Sequence, residues 1–397
     1  MQGYRADIAF DGDRELPGGA LVLVDDGLII GVEPGSAAAP AGCEVTHVAG
    51  TTLLPGLIDA HTHLCGDDTM QALDQLPELG ADELDAIVTA SMRKQLAAGV
   101  TAVRDLGDHR WTVVDRHRGR PDGLTVVASG PPITSVGGHC ANMGGAAAGV
   151  DQLRAAVRER AERGADVVKI MTSGGMMTAG TDILVPQFTL VELSAVVEEA
   201  HRLGLAVAAH AHALAAVEQC VQARVDTIEH CSCMTEQGLF TPPALATAMA
   251  AAGVVACPTL GQDLSTLDGE LPPNIAAAME RIGITPETRA RQVAGLYAGG
   301  VTLVSGADSG INPSKPHGLL PESIVDLVTS CGVPPAEGLA SATGIAADVC
   351  GLGQRTGRLH KGLDADLLLV EGDVLRDITA VGRPHTVVSR GRATTLA

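Results

Sequence analysis

Aromatic side chains are nearly missing from this chain, which has three Phe, two Tyr and one Trp in 397 residues. Nothing in it suggests a stacking platform for a ring-shaped or nucleoside substrate. Positive charge is also scarce, with 27 Lys and Arg against 47 Asp and Glu, for a net charge of -20. Nucleic acid and anionic membrane would be repelled by that field, which leaves a small-molecule or peptide partner. No uncharged stretch reaches the roughly 18 apolar residues of a membrane span. Residues 1–20 carry Asp7, Asp11, Asp13 and Glu15 in place of a signal-peptide core, so a soluble, cytoplasmic protein is expected. Nine cysteines form an odd, scattered set without disulfide-framework spacing, so they are read as reduced thiols. Cys231 and Cys233 flank Ser232, but C-x-C alone is a weak metal signal, and the pair is read as packing.

What is present is a 46% apolar chain long enough for a barrel of about 250 residues with a smaller companion. The first fifty residues, as in ADIAFDGD and LVLVDDGLIIGVEPG, alternate short apolar runs with Asp-Gly and Gly-Gly turns, a hairpin pattern. From Leu54 the pattern changes. Eight apolar runs (TTLLPGLIDAH, VTAVRDLG, LTVVASG, ADVVKIMTSGG, GLAVAAHAH, VDTIEHC, GVVACPTL and VTLVSGADSG) are separated mostly by helical patterns such as residues 151–163 and 190–203. Alternating strand and helix text predicts an α/β fold, an eight-stranded parallel (β/α)8 TIM barrel. The tail, GRLHKGLDADLLLVEGD and HTVVSRGRATTL, returns to hairpin text. The expected division is therefore 1–53 and 355–397 as two parts of one small β-sandwich, and 54–354 as the barrel.

Active sites of such barrels lie at the C-terminal ends of the strands, so polar residues closing apolar strands are the candidates. The first strand ends in His61-Thr62-His63, and positions two apart in a strand project to the same side. The fourth carries Lys169 inside VVKIM, where a bare ammonium is costly. The fifth ends at His210, the sixth at His230, and the eighth at Asp308. Any one of these is unremarkable alone. Together at five strand ends, imidazole and carboxylate groups of this kind suit zinc and related divalent ions.

These residues, with the segments PGLIDAHTH, TIEHC, SGADSG and GLDADLLLV, are similar to the amidohydrolase superfamily over nearly the whole chain. The resemblance implies a hydrolase of carbon–nitrogen bonds with two metal ions. His61, His63 and Asp308 would hold one ion and His210 and His230 the other, with carboxylated Lys169 bridging them. It also implies a bridging water made acidic by two ions roughly 3.5–4 Å apart, with Asp308 taking its proton and returning it to the departing nitrogen. Zinc is the expected metal, although the ligands also suit manganese, iron or cobalt.

Within that superfamily, VKIMTSGGMMT, HAHALAAVEQCVQARVDTIEHC and GGHC resemble the branch of Xaa-Pro dipeptidases, carboxypeptidase-like enzymes and imidazolonepropionase-like proteins. A histidine in the third-strand loop faces substrate in that branch, which assigns His139 to substrate binding, against a surface-loop alternative. His212, two beyond His210, is expected in the same mouth, and its departure from the tyrosine common in dipeptidase relatives puts a prolidase-like carboxylate contact in doubt. His317 either reaches substrate from the last loop or is exposed. Arg104 and Arg110 pair either with a substrate carboxylate or with neighbouring acids. The expected substrate is a dipeptide, an N-acyl amino acid or something peptide-like. A deaminase or cyclic-amide hydrolase and an inactive scaffold relative are the alternatives, and symmetric homo-oligomers are common among such proteins.

Overall fold

The computed structural model describes residues 1–120, 123–178, 180–266 and 273–394. Its N-terminal strands Gln2–Ala6, Ala20–Asp25, Leu28–Pro34 and Glu44–His47 form a four-stranded sheet. The Asp-Gly turn expected in this region is formed by Asp26 and Gly27, both at positive φ (46° and 77°), between the paired ends Asp25 and Leu28. Two left-handed residues in a two-residue loop match the strand twist, which is why Asp-Gly serves there.

A second sheet of six strands joins the two ends of the chain. Its order is Arg392–Thr394, Pro384–Ser389, Leu367–Glu371, Thr51–Pro55, Ile8–Phe10, Glu15–Leu16. Tyr4, Val22 and Val24 from the first sheet share a buried cluster with Leu53, Leu367, Leu369 and Val388 from the second. The last residues of the expected tail hairpin, 395–397, lie outside the described residues.

The first expected barrel run is in fact two strands. Thr51–Pro55 belongs to the six-stranded sheet, and after Gly56 the chain enters the barrel as β1 (Leu57–Thr62). A Cβ on Gly56 would lie 2.1 Å from Thr101 Oγ1, so only glycine lets the chain change sheets there. The parallel strands that follow are β2 (Val100–Asp105), β3 (Thr125–Ala128), β4 (Val167–Met171), β5 (Ala206–Ala213), β6 (Thr227–Thr235) and β7 (Val255–Cys257). They form two ladders, β3-β2-β1 and β4-β5-β6-β7. Most are buried along their whole length, as strands covered on both faces must be.

This is a TIM-barrel-type fold, but the eighth element is not a regular strand. Residues 301–309 touch β7 through the bridge Ala256–Leu303 and β1 through Thr62–Ser309, with Ala60 N donating to Ser305 O at 3.1 Å. Gly306 explains part of the interruption, since a Cβ there would lie 2.7 Å from both His61 Cβ and Cys257 Sγ. Between β3 and β4 there is likewise no ladder: Asp166 N, just before β4, donates to Ala128 O at 2.9 Å, and the chain beyond β3 makes the bridge Ile133–Ile170. Helices fill the connections; in Leu190–Arg202, Thr189 caps the first turn and Glu192 closes the capping box by accepting Thr189 N at 2.9 Å.

Candidate metal centre

The C-terminal ends of β1, β5 and β6 bring imidazoles into a continuous contact chain. His63 meets His61 at 5.3 Å between ring centroids, His61 meets His230 at 5.3 Å, and His230 meets His210 at 4.6 Å. His212 stacks on His230 at 4.5 Å, and His139 packs on His210 at 4.7 Å. All six are buried.

Two ligand groups stand out within this chain: His61 with His63 and Asp308, and His210 with His212 and His230. Asp308 Oδ1 lies 3.3 Å from His61 Nε2 and 3.1 Å from His63 Nε2. Burial pushes the Asp308 carboxyl up, but the two imidazoles and Lys315 outweigh it and hold it down at about 2. Burial and the Lys169 charge lower His61 to about 4, and burial with neighbouring imidazoles takes His210 and His230 well below the ordinary histidine range. The rings are therefore neutral at pH 7, the state in which imidazole coordinates metal.

Four of the rings are oriented by a second contact, whereas His63 Nδ1 has no hydrogen-bond partner among the described residues. His61 Nδ1 meets Glu229 Oε2 at 2.7 Å, His230 Nδ1 meets Thr259 Oγ1 at 2.9 Å, His212 Nδ1 meets Ser232 Oγ at 2.9 Å, and His210 Nε2 donates to the Gly174 carbonyl at 3.2 Å. His61 Nε2, by contrast, has no hydrogen-bond partner among the described residues. A buried imidazole nitrogen with no hydrogen bond, 3.3 Å from a carboxylate oxygen that also lies 3.1 Å from His63 Nε2, suits a divalent cation, and the nitrogen and oxygen donors are of the right type. Lys169 is 1% exposed in β4, and burial lowers its ammonium below the ordinary lysine range despite Glu229 and Asp308.

Of the other expected residues, His139 is buried. Its backbone N donates to Gln187 Oε1 at 2.7 Å, and its Nδ1 lies 2.7 Å from Thr178 Oγ1. His212 lies inside the cluster. His317 does not join it: although buried, its ring donates to the Gly66 carbonyl at 3.0 Å and touches none of the other imidazoles. Arg104 is a correction to the substrate-carboxylate option, since it is fully buried inside the barrel and paired with Glu229 at 3.0 Å. Arg110 lies exposed and donates to the carbonyls of Leu79 and Pro77. Cys231 and Cys233 are buried in the apolar layer around β6.

Sequence reasoning missed the residues that hold the strand ends in place. His230, Cys231, Cys233, Thr259 and Asp308 all have positive φ, between 47° and 64°, where side chains are strained. Their carbonyls and those of their neighbours are gripped by long polar side chains. The Arg289 guanidinium donates to His230 O and Pro258 O, and Gln292 Nε2 donates to Cys231 O at 2.9 Å. Lys315 Nζ donates to Thr259 O at 2.8 Å, Ala307 O at 3.0 Å and Leu260 O at 3.2 Å. Lys315 and Arg289 make no ion pair among the described residues, and Lys315 is lowered to about 8 by burial. The only sequence signal was a lysine placed in the loop just beyond Asp308.

A sequence profile of the amidohydrolase family matches residues 52–394. Ochratoxinase from Aspergillus niger is 27% identical over 372 residues, covering 84% of this chain and 73% of that protein. A crystal structure of a prolidase complexed with N-methylphosphonate-L-proline is 26% identical, with TM-score 0.83 and 99% of each chain covered. A crystal structure of a Xaa-Pro dipeptidase with bound methionine has the same fold, with TM-score 0.85 at 24% identity and 99% of each chain covered.

Proposed function

The chain belongs to the amidohydrolase family and is a hydrolase of carbon–nitrogen bonds, and from that premise we propose that it cleaves the amide of a dipeptide, N-acyl amino acid or similar small peptide-like molecule with two divalent metal ions. One observation carries this reading, the convergence of His61, His63 and Asp308 with His210 and His230 at one end of the barrel, where the Lys169 charge acts on His61, His210 and His230. His61, His63 and Asp308 would hold one ion and His210 and His230 the other. Lys169, carboxylated on Nζ, would bridge them. A lysine whose ammonium is disfavoured by burial offers the neutral amine that carbamate formation needs. Zinc is the proposed metal. When bound, the ions supply Lewis acidity and a water acidic enough to react near neutral pH.

The chain's own residues do the rest. Asp308, ionised at neutral pH, accepts the proton of the attacking water and later delivers it to the leaving nitrogen. His139, fixed by Gln187 and Thr178, contacts the substrate carbonyl or carboxylate, and His212 lines the same mouth. Ile183, Met234 and Ile282 form an aliphatic cluster close by, since Met234 pairs with Ala213, the residue after His212. We take this cluster as the side of the site that receives an aliphatic side chain or acyl group. The two terminal sheets, whose strands fall within residues 2–55 and 367–394, are read as one small β-sandwich beside the barrel, the division expected near residue 53 falling after Pro55 instead.

The test is a substrate panel on protein loaded with zinc, manganese or cobalt. Amine release from dipeptides or N-acyl amino acids, with no ammonia and two ions per chain, supports the reading. Ammonia release from heterocycles, or no turnover at full metal content, contradicts it. In the same assay His139→Ala should keep its metal content while kcat/KM falls roughly ten- to a thousandfold, a loss of about 1.4–4 kcal/mol of transition-state binding. Metal loss in that variant would assign His139 to the metal instead.

A further inference from the structure

Glu229 lies in β6 one residue before His230 and is fully buried, at 0% exposure. A carboxylate there is tolerated only with charge-assisted partners. Its Oε1 accepts from Arg104 Nη2 at 3.0 Å and from Thr227 Oγ1 at 2.6 Å, and its Oε2 meets His61 Nδ1 at 2.7 Å. Arg104 is itself fixed, with Nε donating to Ala60 O at 2.7 Å and Nη1 to Thr227 Oγ1 at 3.3 Å.

A carboxylate only accepts, so the hydrogen between it and the ring belongs to His61 Nδ1. In the neutral ring Nε2 then carries a lone pair. That nitrogen lies 3.3 Å from Asp308 Oδ1 without a hydrogen bond to it, two acceptors held close together. A cation between them resolves the conflict.

Building on the proposed function, we propose that Glu229, anchored by Arg104 and Thr227, is a positioning residue that sets the His61 tautomer and so presets the His61, His63 and Asp308 group to take an ion. The pair acts across the barrel, from β2 and β6 onto β1. Arg104 is thereby given a role in metal binding in place of substrate binding.

Glu229→Gln makes the inference sharp. The position of Oε1 receives two donors, so a glutamine there turns its amide oxygen toward Arg104 and Thr227 and presents its NH2 to His61 Nδ1. The ring must then carry its hydrogen on Nε2, where it blocks an ion. In metal-free protein labelled with 15N-histidine, wild type should show His61 protonated on Nδ1 and Glu229→Gln on Nε2. In cobalt titrations followed by absorption and metal counting, Glu229→Gln should keep the ion of the His210 group and bind the other about ten- to a hundredfold more weakly.

Should the unpaired Arg104 charge keep that variant from folding, Arg104→Met with Glu229→Leu removes both charges and should show the same weakening. A folded variant with His61 still protonated on Nδ1 and both cobalt affinities unchanged overturns the positioning role alone. A wild-type chain that binds no cobalt overturns the proposed function, and the inference with it.

Discussion

His230→Ala should leave a folded barrel and reduce kcat/KM by about a thousandfold or more, the several kcal/mol that a lost metal contact represents. The side chain sits at the rim of the barrel, packed on His210, His212 and His61 and held by Thr259 Oγ1, and it contributes little to the apolar layers. Metal counting should find the ion of the His210 group lost or weakened, with circular dichroism unchanged. His61→Ala should be as inactive but less stable. It removes the donor to Glu229 Oε2, and an unpaired buried acceptor costs about 1–3 kcal/mol. Wild-type turnover in either variant contradicts the ligand assignment, and equal stability of the two contradicts the account of Glu229.

Lys169→Ala carries the second large effect. The side chain is buried between Val168 and Ile170, its charge acts on His61, His139, His210, His212 and His230, and it makes no ion pair among the described residues. A permanent ammonium there would oppose two metal ions, whereas a carbamate is an anionic, two-oxygen ligand. The alanine variant should lose most activity and bind its ions more loosely. A short carboxylic acid such as propionate should restore part of the turnover by occupying the vacated space, and wild-type activity should rise with bicarbonate during metal loading. Full activity in the alanine variant, or indifference to bicarbonate in a lysine-containing apoprotein, contradicts the bridge.

Much of this arrangement was legible because it follows strand periodicity. His61 and His63 are two apart and reach the same Asp308, and His210 and His212 are two apart and lie in the same cluster. Lys169 could be singled out by charge alone in an apolar run. The hairpin text at the two ends also marked strands that meet in one sheet.

What escaped notice breaks that periodicity. Regular alternation turns neighbouring residues to opposite faces, so Glu229 and His230 should not both serve the same site. The left-handed backbone at His230, φ 64°, lets them do so, and no residue type announces it. Asp308, at φ 58°, ends an eighth segment that makes bridges but no ladder, because Gly306 lets that segment press against His61 and Cys257. Arg104 could be read as facing substrate because its partner lies 125 residues away in sequence. The grips of Arg289, Gln292 and Lys315 on strand-end carbonyls are tertiary contacts with no local pattern at all.

The central claim is a two-ion centre bridged by modified Lys169, and a high-resolution crystal structure of the metal-loaded protein, with anomalous scattering recorded at the metal edge, tests it most directly. The account predicts two anomalous peaks, one against His61, His63 and Asp308 and one against His210 and His230, with a planar three-atom extension of Lys169 Nζ touching both. A bare ammonium at Lys169 beside a single, fully occupied ion would contradict it.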